Sequence, residues 1–237
     1  MSEVIWHDVE CGAYEADLPL WEELAAERPE SILELGCGTG RVALHLARRG
    51  HTVTALDRNS TLLAALDERA GELPVTTVNA DARSFALVDR FSLILAPMQF
   101  LQTFSARLER KECLSCIAAH LAPGGLAALA IIDELPEAKH VSPPLPDTRE
   151  VDGWVYSSQP LETIPGLLAI RALRLRQTVS PTGELSEEID EVQLRQLSVA
   201  KVEDEAEPFM LGGAGVRSIA ESEHYVDSTV VLLEMKS

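Results

Sequence analysis

The chain has 237 residues, of which 46% are hydrophobic, and a formal charge of −18 from 38 acidic and 20 basic side chains. This length predicts one domain, or one domain with an inserted subdomain. The excess of acids argues against DNA, RNA and anionic membranes as partners, because binding these requires a basic surface. The sequence contains no apolar stretch of membrane-spanning length and no basic-then-apolar leader at its start, so we predict a cytoplasmic location.

The first thirty residues are predicted to form an N-terminal helix or lid. Within them, Cys11–Glu27 has apolar residues at helical spacing and predicts a helix that covers an edge of the sheet. Trp6 and His7 precede this helix and are interpreted as part of a flexible tail, or alternatively as part of the lid.

The segment Ser31–Asp57 carries the strongest functional signal in the chain. It reads as a strand, a glycine turn, a helix and a second strand that ends in a carboxylate. The turn contains Gly36, Gly38 and Gly40, and glycine lets a backbone bend sharply and approach a ligand closely. Asp57 comes next to that turn, where its carboxylate can accept both hydroxyl hydrogens of a ribose. We therefore predict a ligand that contains a nucleoside.

The spacing of the glycines indicates which nucleoside. The dinucleotide pattern G-x-G-x-x-G would need a glycine where Arg41 stands, which weakens an NAD-dependent oxidoreductase as the alternative function. Glu34 comes just before the turn and suits an ammonium group better than a pyrophosphate. This combination indicates S-adenosylmethionine. Arg41 is interpreted either as a contact for the ligand carboxylate or Glu34, or as a solvent-facing helix residue.

The chain continues with alternating strands and helices, which predicts a doubly wound sheet. Predicted strands two to five are Thr52–Asp57, Val75–Asn79, Phe91–Ala96 and Leu126–Ile132, with a helix over Ser60–Ala70. Right-handed crossovers place strands one and four side by side, so the ligand crevice is expected over their carboxyl ends.

A CxxC pair, Cys113 and Cys116, lies in a segment that reads as an amphipathic helix, Ala106–Leu121. Because no second pair or histidine cluster follows at ligand spacing, we predict buried reduced thiols and no metal site.

Residues 134–200 are predicted to form an inserted antiparallel β subdomain, with residues 1–133 and 201–237 forming the main domain. The proline-rich stretch HVSPPLPD (residues 140–147) predicts an irregular loop. The predicted extended segments are Trp154–Ser158, Leu167–Val179 and Glu184–Ser198, with a turn at residues 181–183 between the last two. A helix over Glu203–Gly213 and a hairpin of Val216–Ala220 with Thr229–Glu234 complete the predicted main domain.

The motif E-x-G-x-G-x-G at Glu34–Gly40 resembles that of the class I S-adenosylmethionine-dependent methyltransferases, over about Tyr14–Asp133 and from Glu203 to the end. The resemblance implies an α/β fold with a seven-stranded, mostly parallel sheet and S-adenosylmethionine as cofactor. It implies that Tyr14 covers the methionine end, that Asp81 receives the adenine amino group and that the Ala82 amide meets an adenine ring nitrogen. The predicted cofactor-binding residues are Tyr14, Glu34, Gly36, Cys37, Gly38, Gly40, Asp57, Arg58, Asp81, Ala82, Pro97 and Met98.

We predict methyl transfer to a nitrogen or oxygen of a small molecule, with Gln99 and Tyr156 on the substrate side. The resemblance implies that the inserted sheet roofs the substrate pocket; the alternative is a homodimer surface. Nothing in the sequence selects a general base among His7, Tyr14, Gln99, His140, Tyr156 and His224, so no catalytic residue is assigned. Besides the oxidoreductase, a non-catalytic S-adenosylmethionine-binding protein of the same fold is an alternative.

Overall fold

The computed structural model describes residues 2–133, 145–221 and 226–236. The helices are α1 (Ser2–Cys11), α2 (Leu18–Glu27), α3 (Arg41–Ala47), α4 (Ser60–Ala70), α5 (Arg107–His120) and α6 (Val199–Ala206). The strands are β1 (Ile32–Leu35), β2 (Val53–Asp57), β3 (Val75–Asn79), β4 (Phe91–Ala96), β5 (Leu121–Ile131), β6 (Asp147–Val151), β7 (Trp154–Pro165), β8 (Ala169–Val179), β9 (Leu185–Arg195), β10 (Leu211–Ile219) and β11 (Ser228–Met235). Short 3₁₀ turns span Phe100–Thr103 and Glu207–Phe209.

The main sheet has seven strands in the order β10-β11-β5-β4-β1-β2-β3. Strands β1 to β5 pair in parallel, and β11 pairs antiparallel with β5 and β10. Strand β1 therefore lies between β2 and β4, which is the point where the strand order reverses. The predicted doubly wound sheet, its inserted antiparallel sheet and the neighbouring positions of strands one and four are confirmed.

Apolar layers cover both faces of this sheet. One layer packs α2, α3 and α4 onto the sheet, with Trp21 and Leu95 fully buried, and the other packs α5 and α6, with Leu114 and Val202 fully buried. Every residue of β1 and β4 is buried. Strands that are covered on both faces are buried along their whole length. Because both faces are covered, the crevice lies at the ends of these strands.

Local sequence signals explain the best-predicted helix, α4. The side chain of Asn59 accepts hydrogen bonds from the backbone N–H groups of Thr61 and Leu62, which caps the first turn. Gly71 follows the helix with a positive φ of 52°, a backbone conformation that favours glycine. The predicted helix Ser60–Ala70 is therefore confirmed at both ends.

The N-terminal prediction was wrong in part. Residues 2–11 form α1 rather than a tail, and the helix predicted over Cys11–Glu27 begins only at Leu18. Ile5 and Val9 are buried on one side of α1, so contacts with the rest of the protein order this segment. Trp6 and His7 are helix residues.

Three further boundaries differ from the prediction. Strand β5 begins at Leu121 rather than Leu126, and its pairing with β4 changes register between Phe91 and Leu93. The last helix ends at Ala206, and residues 211–213, predicted as helical, begin a strand that pairs with the end of β11. Pairing with a distant strand overrides the local pattern there.

The inserted sheet has the antiparallel order β6-β7-β8-β9, one strand more than predicted. Strand β6 was missed because Asp147 and the residues after it are mostly polar and the preceding prolines indicate a loop. Most of that loop, residues 140–144, lies outside the described residues. The bounds 134–200 for the subdomain stay a prediction.

Candidate functional site

The crevice at the carboxyl ends of β1 and β4 begins with the glycine turn. Gly36, Gly38 and Gly40 have φ values of 68°, 54° and 89°, which side chains other than glycine rarely adopt. The turn is also covered closely: a Cβ built on Gly36 would collide with the ring of Phe100, and one on Gly38 with the ring of His7. Three glycines are therefore required by conformation and by space.

Asp57, at the end of β2, faces this turn as predicted. Its Oδ2 accepts a hydrogen bond of 2.9 Å from the Gly38 N–H, and its Oδ1 accepts one of 2.8 Å from the Asn59 N–H. Each carboxylate oxygen has a second lone pair. The carboxylate is thus held in place with acceptor capacity to spare. Arg58, the next residue, is exposed.

Glu34 lies beneath the turn rather than in it. Its side chain is buried and accepts a hydrogen bond from the backbone of Ala43, while its Oε2 has no partner among the described residues. Burial raises the pKa of this carboxyl to about 8. The predicted role of Glu34 toward an ammonium group stays a prediction.

Arg41 was interpreted as a contact for the ligand carboxylate or Glu34, or as a solvent-facing helix residue. The structure buries most of its side chain, where its charge acts on Glu34, so the solvent-facing interpretation was wrong; a contact with a ligand carboxylate stays a prediction. The Arg41 guanidinium donates to both oxygens of Asp17, at 2.5 and 2.7 Å, and to the carbonyl oxygen of Tyr14 at 2.7 Å. It also lies 5.0 Å from the centre of the Tyr14 ring. Trp21 donates to Asp17 from the other side. Arg41 thus fixes the segment that carries Tyr14, which is buried.

Asp81 follows β3 and is held by an arginine that the sequence analysis did not consider. The Arg83 guanidinium donates to both carboxylate oxygens at 2.6–3.1 Å, and the Arg83 backbone N–H donates to Oδ1. The hydrogen bonds from Arg83 lower the pKa of Asp81 to about 2. Ala82 beside it is buried. Asp81 therefore stays ionised at the rim of the sheet, where an adenine is predicted.

The segment after β4 adopts an unusual backbone. Met98 and Gln99 have φ values of 48° and 58°, and two successive side-chain-bearing residues in this region indicate a constrained turn. Gln99 Nε2 donates a 3.0 Å hydrogen bond to the Ser228 hydroxyl at the start of β11. Pro97 ends the strand, as predicted, and Met98 packs against the core.

Helix α1 covers the glycine turn. The ring of His7 lies against Gly38, with its Nδ1 3.2 Å from the Thr39 hydroxyl oxygen. The Thr39 hydroxyl donates to Asp8 Oδ1 at 2.8 Å. No sequence pattern indicates this contact, because it depends on the packing of α1 against residues that are distant in the chain. It places an imidazole in the predicted crevice.

Two carboxylates hold α1 in this position. Asp8 accepts from Arg69 on α4 at 2.5 and 2.9 Å and from Arg149 on β6 at 2.5 Å. Glu10 accepts from Arg176 on β8 at 2.7 and 2.8 Å and from the Ser158 hydroxyl on β7 at 2.9 Å. Hydrogen bonds to these arginines hold the pKa of both carboxyls below the ordinary value against the opposing effect of burial. Helix α1 is therefore fixed between the main domain and the inserted sheet.

Tyr156 lies at the same interface. Its ring meets the ring of Trp6 edge-on with centroids 5.3 Å apart, and the Arg176 guanidinium lies 5.2 Å from the centre of the Trp6 ring. This face of the inserted sheet therefore roofs α1, and α1 in turn covers the glycine turn. At this end of the inserted sheet, α1 lies between the sheet and the glycine turn, so the predicted roof over a substrate pocket does not contact the turn directly.

At its other end the inserted sheet joins the main domain through Gln102, which the sequence analysis missed. Its side-chain amide is fully buried, accepts from the Ile132 N–H at 2.7 Å and donates to the carbonyl oxygens of Ile132 and Arg195. A cavity of about 310 Å³ opens beside this clamp. Its lining residues are Ile132, Asp133, Ile170, Gln196, Leu197, Ser198 and Lys201.

Within the described part of the chain, no group of three or more His, Cys, Asp or Glu side chains is placed to hold a metal ion. Cys113 is fully buried and Cys116 is half-buried, and burial raises the pKa of both thiols. Cys37 is buried inside the glycine turn. His140 and His224 lie outside the described residues. No described helix is long and apolar enough to cross a membrane.

Comparison with known proteins finds a matching domain model and a shared fold. Residues 32–125 match a family model described as a methyltransferase domain. The cypemycin N-terminal methyltransferase of a Streptomyces species is 31% identical over 121 residues, which cover 50% of this chain and 49% of that protein. The chain spans half or less of the length of the first three curated relatives it matches.

Two solved structures share the fold over nearly the whole chain. The sugar N-methyltransferase KedS8 from Streptoalloteichus has a TM-score of 0.77 at 15% identity, covering 100% of this chain and 93% of that one. The S-adenosylmethionine-bound amino pentose methyltransferase CalS10 from Micromonospora echinaspora has a TM-score of 0.68 at 18% identity, covering 96% and 90%. The family resemblance predicted from Glu34–Gly40 is confirmed.

Proposed function

We propose that this chain, which has the family signature and the fold of the class I S-adenosylmethionine-dependent methyltransferases, transfers a methyl group from S-adenosylmethionine to an amino group of a small molecule. The observation that carries this proposal is the glycine turn with Asp57 held against it by the Gly38 N–H. An oxygen nucleophile is the second candidate acceptor.

The residues of the crevice fit this cofactor. Gly36 and Gly38 give the turn the positive φ values that its shape requires, and Asp57 offers carboxylate lone pairs to a ribose diol. Asp81 offers an ionised carboxylate for an adenine amino group, although Arg83 already engages both of its oxygens. An NAD-dependent oxidoreductase is disfavoured, because Arg41 replaces the third glycine and is committed to Asp17.

When bound, S-adenosylmethionine supplies an electrophilic methyl group on a positively charged sulfur. The chain itself has to position the cofactor and exclude water, which together supply much of the rate in such transfers. Asp57 and the turn would hold the nucleoside, Tyr14 and Met98 would border the methionine end, and α1 would exclude water. Gln99, fixed by Ser228, would orient the acceptor.

An amine acceptor is supported by the names of three similar proteins: one is an N-terminal methyltransferase, one a sugar N-methyltransferase and one an amino pentose methyltransferase. The charge of −18 also favours a cationic or neutral substrate over a polyanion. No general base is assigned. A cytoplasmic location, a homodimer and the absence of nucleic-acid partners stay predictions.

Calorimetric titration with S-adenosylhomocysteine, S-adenosylmethionine and NADH tests the cofactor. We expect the two sulfur compounds to bind and NADH not to bind. Asp57→Ala should weaken binding at least about tenfold, because charge-assisted hydrogen bonding to the ribose is lost. Asp89→Ala, at an exposed position before the amino end of β4, is the matched control and should bind as the unaltered protein does.

Binding of NADH alone would overturn the assignment. Turnover is tested with a panel of amino sugars, amines and phenols. Cofactor binding with no methylation of any acceptor class would instead favour the non-catalytic binding protein of the same fold.

A further inference from the structure

His7 is the side chain of α1 that lies deepest over the glycine turn. Its Nε2 faces Gly38 so closely that a Cβ at that position would collide with it. Gly38 is also the residue whose backbone N–H holds Asp57. The imidazole and the Asp57 carboxylate are therefore neighbours on one surface, although 50 residues separate them in the chain.

The hydrogen bonds around His7 define which ring nitrogen carries the proton. The Thr39 hydroxyl has one hydrogen, and Asp8, an ionised acceptor paired with Arg69, takes it at 2.8 Å. Thr39 can then only accept from His7 Nδ1, 3.2 Å away, so Nδ1 carries the ring hydrogen. In a neutral imidazole the other nitrogen, Nε2, is an acceptor. Its lone pair is thus presented at Gly38.

We propose that His7 is a cofactor-binding residue whose Nε2 accepts a hydrogen bond from one ribose hydroxyl, while Asp57 accepts from the other. The inference rests on the proposed function and adds to it a ribose contact from a residue of α1. Two acceptors on one surface match a diol, which has two donors. Closure of α1 and recognition of the ribose then become one event.

Burial supports the neutral state of the ring. It lowers the pKa of His7 below the ordinary value, and the charges of Arg69 and Arg41 lower it further. Asp8 and Asp57 act in the opposite direction. At neutral pH the ring is therefore uncharged. Protonation in acid would convert Nε2 from an acceptor to a donor, so affinity for the ribose should decrease as the pH falls through the pKa of His7, which burial places below the ordinary value.

The test is calorimetric titration of S-adenosylhomocysteine and its 2′-deoxy and 3′-deoxy analogues. His7→Phe keeps the ring size and removes the acceptor, and we expect it to weaken S-adenosylhomocysteine binding about fivefold to tenfold. The analogue that lacks the hydroxyl bound by His7 should bind the unaltered protein more weakly than S-adenosylhomocysteine does. His7→Phe should bind that analogue and S-adenosylhomocysteine equally well. His7→Gln, whose amide oxygen reaches a similar position, should recover most of the affinity and lose the decrease in acid.

The matched control is His51→Phe, at the amino end of β2 and thus at the opposite edge of the sheet. Equal binding by His7→Phe and the unaltered protein would overturn the inference, as would equal losses in His7→Phe and His7→Gln, which indicate packing alone. Thermal melting of each variant checks that α1 and the fold persist. If the unaltered protein fails to bind S-adenosylhomocysteine, the proposed function itself fails, which is a different result.

Discussion

The two sheets of this protein are stabilised in different ways. Strands β1 and β4 of the main sheet bury every side chain, whereas within β6 to β9 only Ser158 and Ile170 are buried. The inserted sheet faces α1 with arginines, and its opposite face leaves Leu185 and Ile189 more than half exposed. Apolar packing thus stabilises the strands that carry the glycine turn, while charged contacts hold α1 against the inserted sheet.

The largest expected difference is in the cost of deleting an apolar side chain. Leu95→Ala in β4 should lower the free energy of unfolding by about 2–5 kcal/mol, because it leaves a cavity in a fully buried layer. Ile189→Ala in β9 should change it by less than about 0.5 kcal/mol, because the side chain is 58% exposed. Urea denaturation of both variants measures this. A large loss for Ile189→Ala would show that another molecule covers this face, as in the homodimer alternative.

The buried carboxyl of Glu34 on β1 should give the next largest effect. The carboxyl of Glu34 keeps its proton to about pH 8 when folded, whereas its ordinary pKa is 4.5. The folded state therefore binds more protons, so this group makes stability fall as the pH rises from about 4.5 to about 8. Glu34→Gln should remove that decrease.

Unfolding free energies at pH 5.5 and 8.5 test this expectation. We expect Glu34→Gln to gain stability relative to the unaltered protein by on the order of 2 kcal/mol at the higher pH. Glu23→Gln, at an exposed position on α2, should give parallel curves. Parallel curves for Glu34→Gln as well would mean that the carboxyl is ionised in the fold.

Removing a charge between α1 and the inserted sheet should have the smallest effect, and the effect should be confined to α1. Asp8→Asn removes the charge that joins Arg69 on α4 to Arg149 on β6. We expect amide hydrogens of α1 to exchange about tenfold faster, which corresponds to about 1.4 kcal/mol, with β1 and β4 unchanged. Hydrogen-exchange mass spectrometry measures both regions. Glu15→Gln, at an exposed position shortly after α1, is the control, and faster exchange throughout the main sheet would contradict a separate lid.

The same division explains what the sequence predicted. The glycine turn, Asp57 and helix α4 follow from local signals, since Asn59 caps that helix and Gly71 ends it. Buried parallel strands are continuous apolar runs, so their bounds were nearly right. Where the stabilising contacts join residues that are close in sequence, the pattern of residue types is sufficient to predict the structure.

The rest depends on partners that are distant in sequence. Helix α1 was missed because Ile5 and Val9 give a weak apolar pattern, and its order comes from Arg69 and Arg176. The pairing of Arg41 with Asp17 spans 24 residues, and the clamp from Gln102 to Arg195 spans 93. A single sequence does not show which of many charged and amide groups will meet across such separations.

Under the proposed function, the position of α1 also bears on how many methyl groups one encounter would deliver. The helix covers the glycine turn and is joined by ion pairs to α4 and to the inserted sheet, so release of the spent cofactor would require the ion pairs of Asp8 and Glu10 to break. Breaking them also releases the inserted sheet from α1, which frees the acceptor side. A reaction that adds two methyl groups to one nitrogen would therefore be distributive: the singly methylated product dissociates and returns for the second transfer.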